Sequence, residues 1–110
     1  MTKYEKWEIW YAYVAYEENP KEGKVRPVVI TGSGAAFVLG MYVTGSSPRP
    51  GYNDIVIRHW QHAGLSKPST VRLDKKLTLW PSDMRSKIGK LEQMDILQID
   101  LALARMAYKL

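Results

Sequence analysis

The residues with the clearest potential for chemistry are Arg72 and Asp74, at the end of the alternating segment from Ser69 to Asp74. Residues two apart on a β-strand point to the same face. A strand here would therefore place a guanidinium and a carboxylate within reach of one another and of a shared ligand, with Thr70 beside them. The competing interpretation is an ordinary surface ion pair, which contributes little to stability. On this spacing alone, the ion pair is the more common outcome.

Two other segments place a group suited to binding an anion at the end of a predicted strand. Arg26 stands before Pro27, where a loop gives way to a strand, and an arginine can donate two parallel hydrogen bonds to a phosphate. Thr44 precedes Gly45-Ser46-Ser47, whose backbone amides could hold an anion together with the threonine hydroxyl. The chain has no Gly-Lys-Ser/Thr ending of a P-loop, which argues against nucleotide hydrolysis. Taken alone, Arg26 is more simply explained as an arginine at the rim of the sheet.

The remaining candidates for chemistry are His59 and His62, which would share one face if their segment were helical. They could act as base and acid in RNA cleavage, but the favoured interpretation is a pair of surface or core-edge histidines. The chain has no cysteine, which excludes disulfides and thiolate metal sites. Because no third ligand is obvious near the histidines, we expect no metal site and no cofactor. The absence of a Gly-x-Ser-x-Gly motif leaves serine hydrolase chemistry without support.

The elements that must position these residues are short strands followed by a helix. Residues 17–25 contain Asn19-Pro20 and Gly23 among charged residues and are predicted to be a mobile loop, and residues 59–65 a turn closed at Gly64. Gly40 suits a bend or bulge within a strand. The predicted strands cover residues 7–16, 28–31, 35–44, 55–57 and 69–74, with 77–80 continuing the last one after a kink. Five or six closely spaced strands and a terminal helix predict a mainly β fold, a small SH3-like curved β-barrel.

The terminal helix, from about Glu92, carries two adjacent apolar stripes. One stripe holds Ile96, Ile99, Leu103, Met106 and Leu110, the other holds Leu97, Leu101, Ala104 and Tyr108, and the predicted solvated line holds Asp95, Gln98, Ala102, Arg105 and Lys109. Two stripes are wider than one buried face usually needs. Either a second subunit covers part of the helix, or the helix packs deeply against its own sheet, and the sequence favours neither.

Length and charge limit the classes of protein to consider. The 110 residues suffice for one domain, and 16 basic against 11 acidic residues give a net charge of +5. Most of the excess lies in residues 48–76, which is compatible with a polyanionic partner but equally with a basic solvated surface. No apolar run is long enough to span a membrane and no secretory signal is visible, so we expect a cytoplasmic protein.

Five segments, taken in order, resemble the PemK/MazF toxins of toxin–antitoxin systems. They are Glu8-Ile9-Trp10, Arg26-Pro27-Val28-Val29-Ile30, Val43-Thr44 with Ser46, Gly64 to Lys75 containing Arg72 and Asp74, and Lys87-Ile88-Gly89-Lys90-Leu91. Each segment is weak evidence alone, but the five together in family order are fairly specific. The resemblance implies one PemK/MazF-like domain over residues 1–110, with the SH3-like barrel that the CcdB toxins also share.

The resemblance further implies a homodimeric endoribonuclease that cleaves single-stranded RNA without a metal. In such cleavage the ribose 2′-hydroxyl attacks the adjacent phosphorus and leaves a 2′,3′-cyclic phosphate. The catalytic residues implied are Arg26, Thr44, Arg72 and Asp74, with Asp74 as candidate base, the two arginines on the phosphate and Thr44 on a phosphate oxygen. The RNA-binding residues implied are Lys24, Ser46, Arg49, Arg58, Lys67 and Lys75. The partner implied is an antitoxin whose acidic or apolar tail covers the RNA groove.

Two other functions remain open at this stage. A CcdB-like protein would poison DNA gyrase by contact and would need no phosphate site, which the set of Arg26, Thr44, Arg72 and Asp74 argues against. A degenerate module of the same fold would bind nucleic acid or a partner without cleaving RNA. The Thr-Ser pair of the family is interrupted here by Gly45, and the first loop offers Lys21, Glu22 and Lys24 where several relatives carry histidine and glutamine.

Overall fold

Six antiparallel strands and one C-terminal helix make up residues 3–108, the part of the chain that the computed structural model describes. The strands are β1 (Glu8–Ala15), β2 (Gly23–Ser33), β3 (Val38–Thr44), β4 (Asp54–Ile57), β5 (Ser69–Leu79) and β6 (Met84–Lys90), followed by α1 (Gln93–Ala107). A single 3-10 turn, Pro81–Asp83, joins β5 to β6. The predicted mainly β fold with a C-terminal helix is confirmed. No helix within residues 3–108 has the length and apolar character needed to cross a membrane.

All six strands belong to one sheet, in the order β4-β5-β3-β2-β1-β6. Register shifts interrupt the β1–β6, β2–β3 and β3–β5 ladders, and such bulges bend strands and increase their twist. Over the described residues β4 and β6 are the two edges and do not pair with each other, so the sheet is open where the sequence predicted a barrel.

The sheet buries both of its faces. Ile9 pairs with Val29 on one face, and the next residues along, Trp10 and Val28, pair on the other. The first face, under α1, carries a core of Ile9, Val29, Met41, Val43, Val71, Leu73, Ile96, Ile99 and Ala102, with others around them. The second face carries a core of Trp10, Ala12, Val14, Val28, Ile30, Val38, Leu79 and Met84. This double burial explains why the strands are so rich in consecutive apolar residues.

The loop between β1 and β2 is shorter than the sequence predicted. β2 begins at Gly23, so Lys24 pairs with Val14 and Arg26 pairs with Ala12 inside the ladder. The prediction of a mobile loop over residues 17–25 is therefore wrong for its last three residues. The charges of this segment hid the strand, because only its partner β1 carries the apolar pattern. Lys24 and Arg26 consequently stand on a paired strand.

The predicted kink between residues 74 and 77 is a bulge within one continuous strand, β5. Tyr42 pairs with Arg72 while its neighbour Met41 pairs with Lys76, so three residues of β5 lie between these two pairs without partners on β3. Asp74 is at the centre of this bulge. Strand alternation therefore does not place Asp74 beside Arg72 as the sequence predicted.

The predicted turn at residues 59–65 is confirmed, and one glycine in the turn and one on β6 allow the two to pack closely. Gly64 has φ +92°, a left-handed conformation that glycine adopts without strain. On the facing strand, a Cβ added at Gly89 would overlap the carbonyl oxygen of Ala63. The turn thus packs directly on the backbone of β6, a strand that the sequence pattern did not reveal.

The helix buries the first predicted stripe, with Ile96 and Ile99 in the core and Leu103 and Met106 packed against it, together with two residues predicted to be solvated. Asp95 is 1% exposed and Ala102 is 5% exposed, so the prediction that both are solvated is wrong. The Asp95 carboxylate accepts the backbone N–H groups of Arg58 (2.9 Å) and His59 (3.0 Å), which satisfies a buried charge by capping the turn. The apolar residues left outside are Met94, Leu97, Leu101 and Tyr108. The predicted stripe residues Lys109 and Leu110 lie outside the described residues.

Glu8 is a second buried carboxylate, 3% exposed, and it ties β1 to β6. Its oxygens accept the Trp10 indole N–H (3.0 Å), the Glu5 backbone N–H (3.0 Å) and the Lys87 ammonium (2.8 Å). Burial alone raises the pKa of Glu8, but these three donors outweigh it and lower the pKa to about 2. The glutamate of the first motif therefore has a structural role in the sheet.

Candidate active site

Three adjacent strands bring the two predicted arginines to one face of the sheet. On β3, Tyr42 pairs with Val28 of β2 on one side and with Arg72 of β5 on the other. Residues paired across strands share a face, and Arg26 is two residues from Val28 along β2. Arg26, Tyr42 and Arg72 therefore all point to the face of the second core.

Tyr42 is the centre of this arrangement, although no sequence motif singled it out. The guanidinium carbon of Arg26 lies 4.2 Å from the centre of the Tyr42 ring and that of Arg72 lies 5.4 Å from it. The ammonium of Lys75 lies 4.7 Å from the same centre. The available signal was its position two residues before Thr44 on a predicted strand, which places both residues on one face.

A cleft of about 470 Å³ opens between the start of β2, the end of β3 and residues 65–69, and it meets this cluster at Arg26. Five of the ten residues predicted for the site line it: Lys24, Arg26, Thr44, Ser46 and Lys67. The Thr44 hydroxyl oxygen accepts the Ser46 backbone N–H at 3.2 Å, which leaves the hydroxyl proton available to a ligand. The cleft thus combines three basic side chains with a hydroxyl donor.

Gly45, which interrupts the Thr-Ser pair, contributes space to the cleft. A Cβ added there would lie 2.9 Å from Cε and 3.1 Å from Nζ of Lys67. The absence of a side chain lets the end of Lys67 rest against the backbone after Thr44. The glycine that departs from the family motif therefore makes room for the end of the Lys67 side chain after Thr44.

Asp74 lies in a second, smaller cavity of about 260 Å³, lined by Glu17, Arg49, Asp74, Lys75 and Lys76. Its ion-pair partner is Arg49, at 3.3 Å, in place of the predicted Arg72. The bulge in β5 separates Asp74 from the ladder that holds Arg72. Lys75 connects the two regions, because it lines this cavity and also lies over the Tyr42 ring.

Arg49 is held by carboxylates. Its Nε and Nη2 donate to the two oxygens of Asp54 at 2.8 and 2.9 Å, and its backbone N–H donates to the same carboxylate at 2.9 Å. These hydrogen bonds lower the pKa of Asp54 and raise that of Arg49. The guanidinium also stacks on Tyr52, 4.0 Å from the ring centre. We call Arg49, Asp54 and Asp74 the paired cluster.

The other predicted residues take separate positions. Arg58 lines neither cavity, and its backbone is fixed by Asp95 in the turn after β4. The rings of His59 and His62 meet edge to face with centres 6.4 Å apart. Within residues 3–108 no group of three or more histidine and acidic side chains is arranged to hold a metal ion.

Comparison with protein families gives one match, which covers almost the whole chain. The PemK-like, MazF-like toxin family of type II toxin–antitoxin systems matches residues 5–107. The predicted resemblance is confirmed over this range. A search of curated proteins finds no match to the chain.

Solved structures with the same fold include three from mycobacteria. An endoribonuclease from a Mycobacterial species is 14% identical, with a TM-score of 0.71 over 97% of this chain and 93% of that one. An endoribonuclease in complex with its cognate antitoxin, also from a Mycobacterial species, is 17% identical, with a TM-score of 0.68 over 96% and 95%. The Mycobacterium tuberculosis toxin MazF-mt6 is 23% identical, with a TM-score of 0.68 over 94% and 97%. At these identities the similarity establishes the fold.

Proposed function

This chain belongs to the PemK-like, MazF-like toxin family of type II toxin–antitoxin systems, and we propose that it is a toxin that cleaves single-stranded RNA in the cytoplasm. The observation that carries the proposal is the gathering of Arg26, Arg72 and Lys75 around Tyr42 beside an open cleft. Among the described residues neither arginine makes an ion pair, so both are available to a phosphate. Two similar structures are endoribonucleases and a third is a MazF toxin, which supports this reaction class.

The reaction proposed is attack of a ribose 2′-hydroxyl on the adjacent phosphorus, without a metal. Arg26 and Arg72 stabilise the negative charge that develops on the phosphorane oxygens, and the Thr44 hydroxyl donates to one of them. Asp74 accepts the proton of the 2′-hydroxyl, and the 5′-oxygen leaves with a proton from an acid or from water. The products are a 2′,3′-cyclic phosphate and a 5′-hydroxyl end. Because DNA lacks the 2′-hydroxyl, it is bound but not cleaved.

The RNA would follow the basic side chains around the cleft. Lys24, Ser46 and Lys67 line the cleft itself, and Lys75 leads from it toward Asp74. Arg49 and Arg58, the other predicted RNA-binding residues, would contact RNA only beyond the cleft. Binding through these charges weakens as salt rises, because each phosphate contact releases counterions.

The proposed assembly is a homodimer neutralised by an antitoxin. The apolar residues Met94, Leu97, Leu101 and Tyr108 remain exposed along α1 and could be covered by a second copy of the chain. The antitoxin would cover the cleft with a flexible tail whose acidic groups match the cations there. One similar structure is a complex with a cognate antitoxin, which supports a partner of this kind.

One observation favours a second candidate, a domain that binds RNA without cleaving it. Asp74 is paired with Arg49 and lies in a different cavity from Arg26 and Thr44. If that separation persists when RNA is bound, the site has cations for the phosphate and no base for the 2′-hydroxyl.

Incubation of the purified protein with single-stranded RNA in the presence of EDTA separates these candidates. We expect cleavage that EDTA does not reduce, with 2′,3′-cyclic phosphate ends, and no cleavage of DNA of the same sequence. The Arg26→Ala protein is the control for contaminating nucleases. Binding without cleavage would support the second candidate, and cleavage abolished by EDTA would contradict the metal-free reaction.

A further inference from the structure

Few carboxylates neutralise the cation cluster around Tyr42. Within residues 3–108 Arg26 and Arg72 form no ion pair, although Arg72 is the cross-strand partner of Asp54 and its charge acts on that carboxylate. Lys75 pairs with Glu17 at 3.4 Å, and the Glu17 side chain is 76% exposed. In addition, Nε of Arg72 is buried and donates no hydrogen bond. Buried donors are satisfied in nearly all native structures, and Nε of Arg72 is an exception among the described side chains.

Among the described residues, Tyr42 interacts favourably with all three cations. The face of an aromatic ring is electron-rich and attracts ammonium and guanidinium groups that lie within about 6 Å of its centre. The three distances, 4.2, 4.7 and 5.4 Å, all meet this condition. Three like charges around one ring repel one another, and the attraction of the ring offsets part of that repulsion.

The position of Tyr42 in the sheet explains how one ring reaches three side chains. β3 lies between β2 and β5, and Tyr42 pairs with both neighbours, with Val28 on one side and Arg72 on the other. The bulge after Arg72 brings Lys75 back toward the ring. Thr44, two residues further along β3, lies on the same face as Tyr42 and lines the cleft.

We propose that Tyr42 is a positioning residue that gathers Arg26, Arg72 and Lys75 into a single binding site for one phosphodiester group. This inference rests on the proposed function for the identity of its ligand, an RNA phosphate. Tyr42 acts through the cations and does not itself contact the reacting atoms. It holds them together in the free protein, so that the phosphate meets a formed site and little binding free energy is spent on ordering flexible side chains.

The test compares binding of a 2′-O-methyl RNA, which cannot be cleaved, by variants at position 42. Tyr42→Leu removes the ring face and leaves the net charge unchanged, so a loss of affinity cannot come from long-range attraction. We expect Tyr42→Leu to bind about 10-fold more weakly and Tyr42→Phe to bind within about 2-fold of the wild type. The matched control is Tyr4→Leu, which removes a tyrosine packed edge to face on Trp10 of the second core and should leave binding unchanged.

Progressive fluorination of a phenylalanine at position 42 separates positioning from packing. Fluorine withdraws charge from the ring face and changes its shape little, so affinity should fall stepwise with each added fluorine while the thermal midpoint stays nearly constant. In cleavage assays, Tyr42→Leu should raise KM and lower kcat together, because cations that are out of place both bind and stabilise the phosphorane poorly.

Wild-type affinity in Tyr42→Leu would overturn the inference, and so would affinity that does not respond to fluorination. Loss of affinity in Tyr42→Phe equal to that in Tyr42→Leu would also overturn it, since the hydroxyl and not the ring face would then matter. If no variant cleaves RNA and binding still depends on the ring, the inference holds and the proposed cleavage fails. Failure of the wild type to bind the 2′-O-methyl RNA would overturn both.

Discussion

The paired cluster and the cations around Tyr42 use arginine in opposite ways. In the paired cluster, Arg49 meets the carboxylates of Asp54 and Asp74, and Asp54 is almost fully buried. Around Tyr42, Arg26 and Arg72 meet an aromatic ring and, among the described residues, form no ion pair. The paired cluster is satisfied and holds residues 49–54 against β5, whereas the cations around Tyr42 have one ion pair in the described chain, from Lys75 to the exposed Glu17. The partner of an arginine, more than its presence in the sequence, therefore indicates whether the residue stabilises the fold or is available to bind a ligand.

The largest effect is expected from removing a cation of the unpaired group. Arg26→Ala should lower kcat/KM for RNA cleavage by about 100-fold or more, because a donor aimed at the developing charge on phosphorus is lost. Its unfolding free energy should change little, since Arg26 makes no ion pair in the described chain. Lys21→Ala is the matched control, because it also removes one positive charge but lies in the exposed loop between β1 and β2. Equal activity in Arg26→Ala and Lys21→Ala would remove Arg26 from the site.

Asp74 tests whether the paired cluster also takes part in the reaction. Asp74→Asn should bind 2′-O-methyl RNA normally and cleave RNA about 100-fold more slowly, because an amide cannot accept the proton of the 2′-hydroxyl. Single-turnover cleavage and anisotropy measurements separate the two effects. Wild-type cleavage in Asp74→Asn would restrict Asp74 to pairing with Arg49.

Replacing Asp54 should lower stability, whereas replacing Arg26 should lower activity. Asp54→Ala removes a buried acceptor of three hydrogen bonds from Arg49 and should cost about 2 kcal/mol of unfolding free energy, measured by urea denaturation. Cleavage by the variant should persist at temperatures where it remains folded. A cost below that of Lys21→Ala would show that the paired cluster does not support the fold.

Acid should also reduce stability, and the loss should arise from the two buried carboxylates Glu8 and Asp54. The pKa of Glu8 is about 2 in the folded protein against 4.5 ordinarily, so its stabilisation is complete above pH 4.5 and is lost as the pH falls toward 2. The pKa of Asp54 is lowered too, and its contribution disappears in the same direction. Glu8→Gln should therefore show a shallower loss of stability between pH 5 and pH 2, measured by denaturation at each pH. An unchanged slope would contradict this assignment.

The sequence was sufficient to predict the elements whose pattern is local. The aromatic β1, the strand after Pro27 and the turn closed at Gly64 follow from alternation and from turn residues, and the helix follows from its period. The start of β2 at Gly23 was missed because charged residues there pair with β1. β6 was missed because it has few apolar residues and packs through Gly89, a contact with a turn distant in the sequence.

Half of the residues predicted for the candidate site line the cleft, but the pairings of the charged residues were not predictable from the sequence. Arg26 and Thr44 come together because β2 and β3 are neighbours, and Lys67 joins them from the segment before β5. The bulge that separates Asp74 from Arg72 depends on how β5 fits β3, and no local pattern indicates it. Asp95 was assigned to solvent because helical periodicity gives no sign that a distant turn offers two N–H groups to its carboxylate.

The most direct test of the contrast between the two groups is an NMR measurement of arginine side chains. Titration of the protein with 2′-O-methyl RNA should shift the guanidinium N–H resonances of Arg26 and Arg72 and slow their exchange with water, because both side chains acquire a phosphate acceptor. The resonance of Arg49 should hardly move, since its donors already serve Asp54 and Asp74. Movement of Arg49 with Arg26 and Arg72 unchanged would contradict the account.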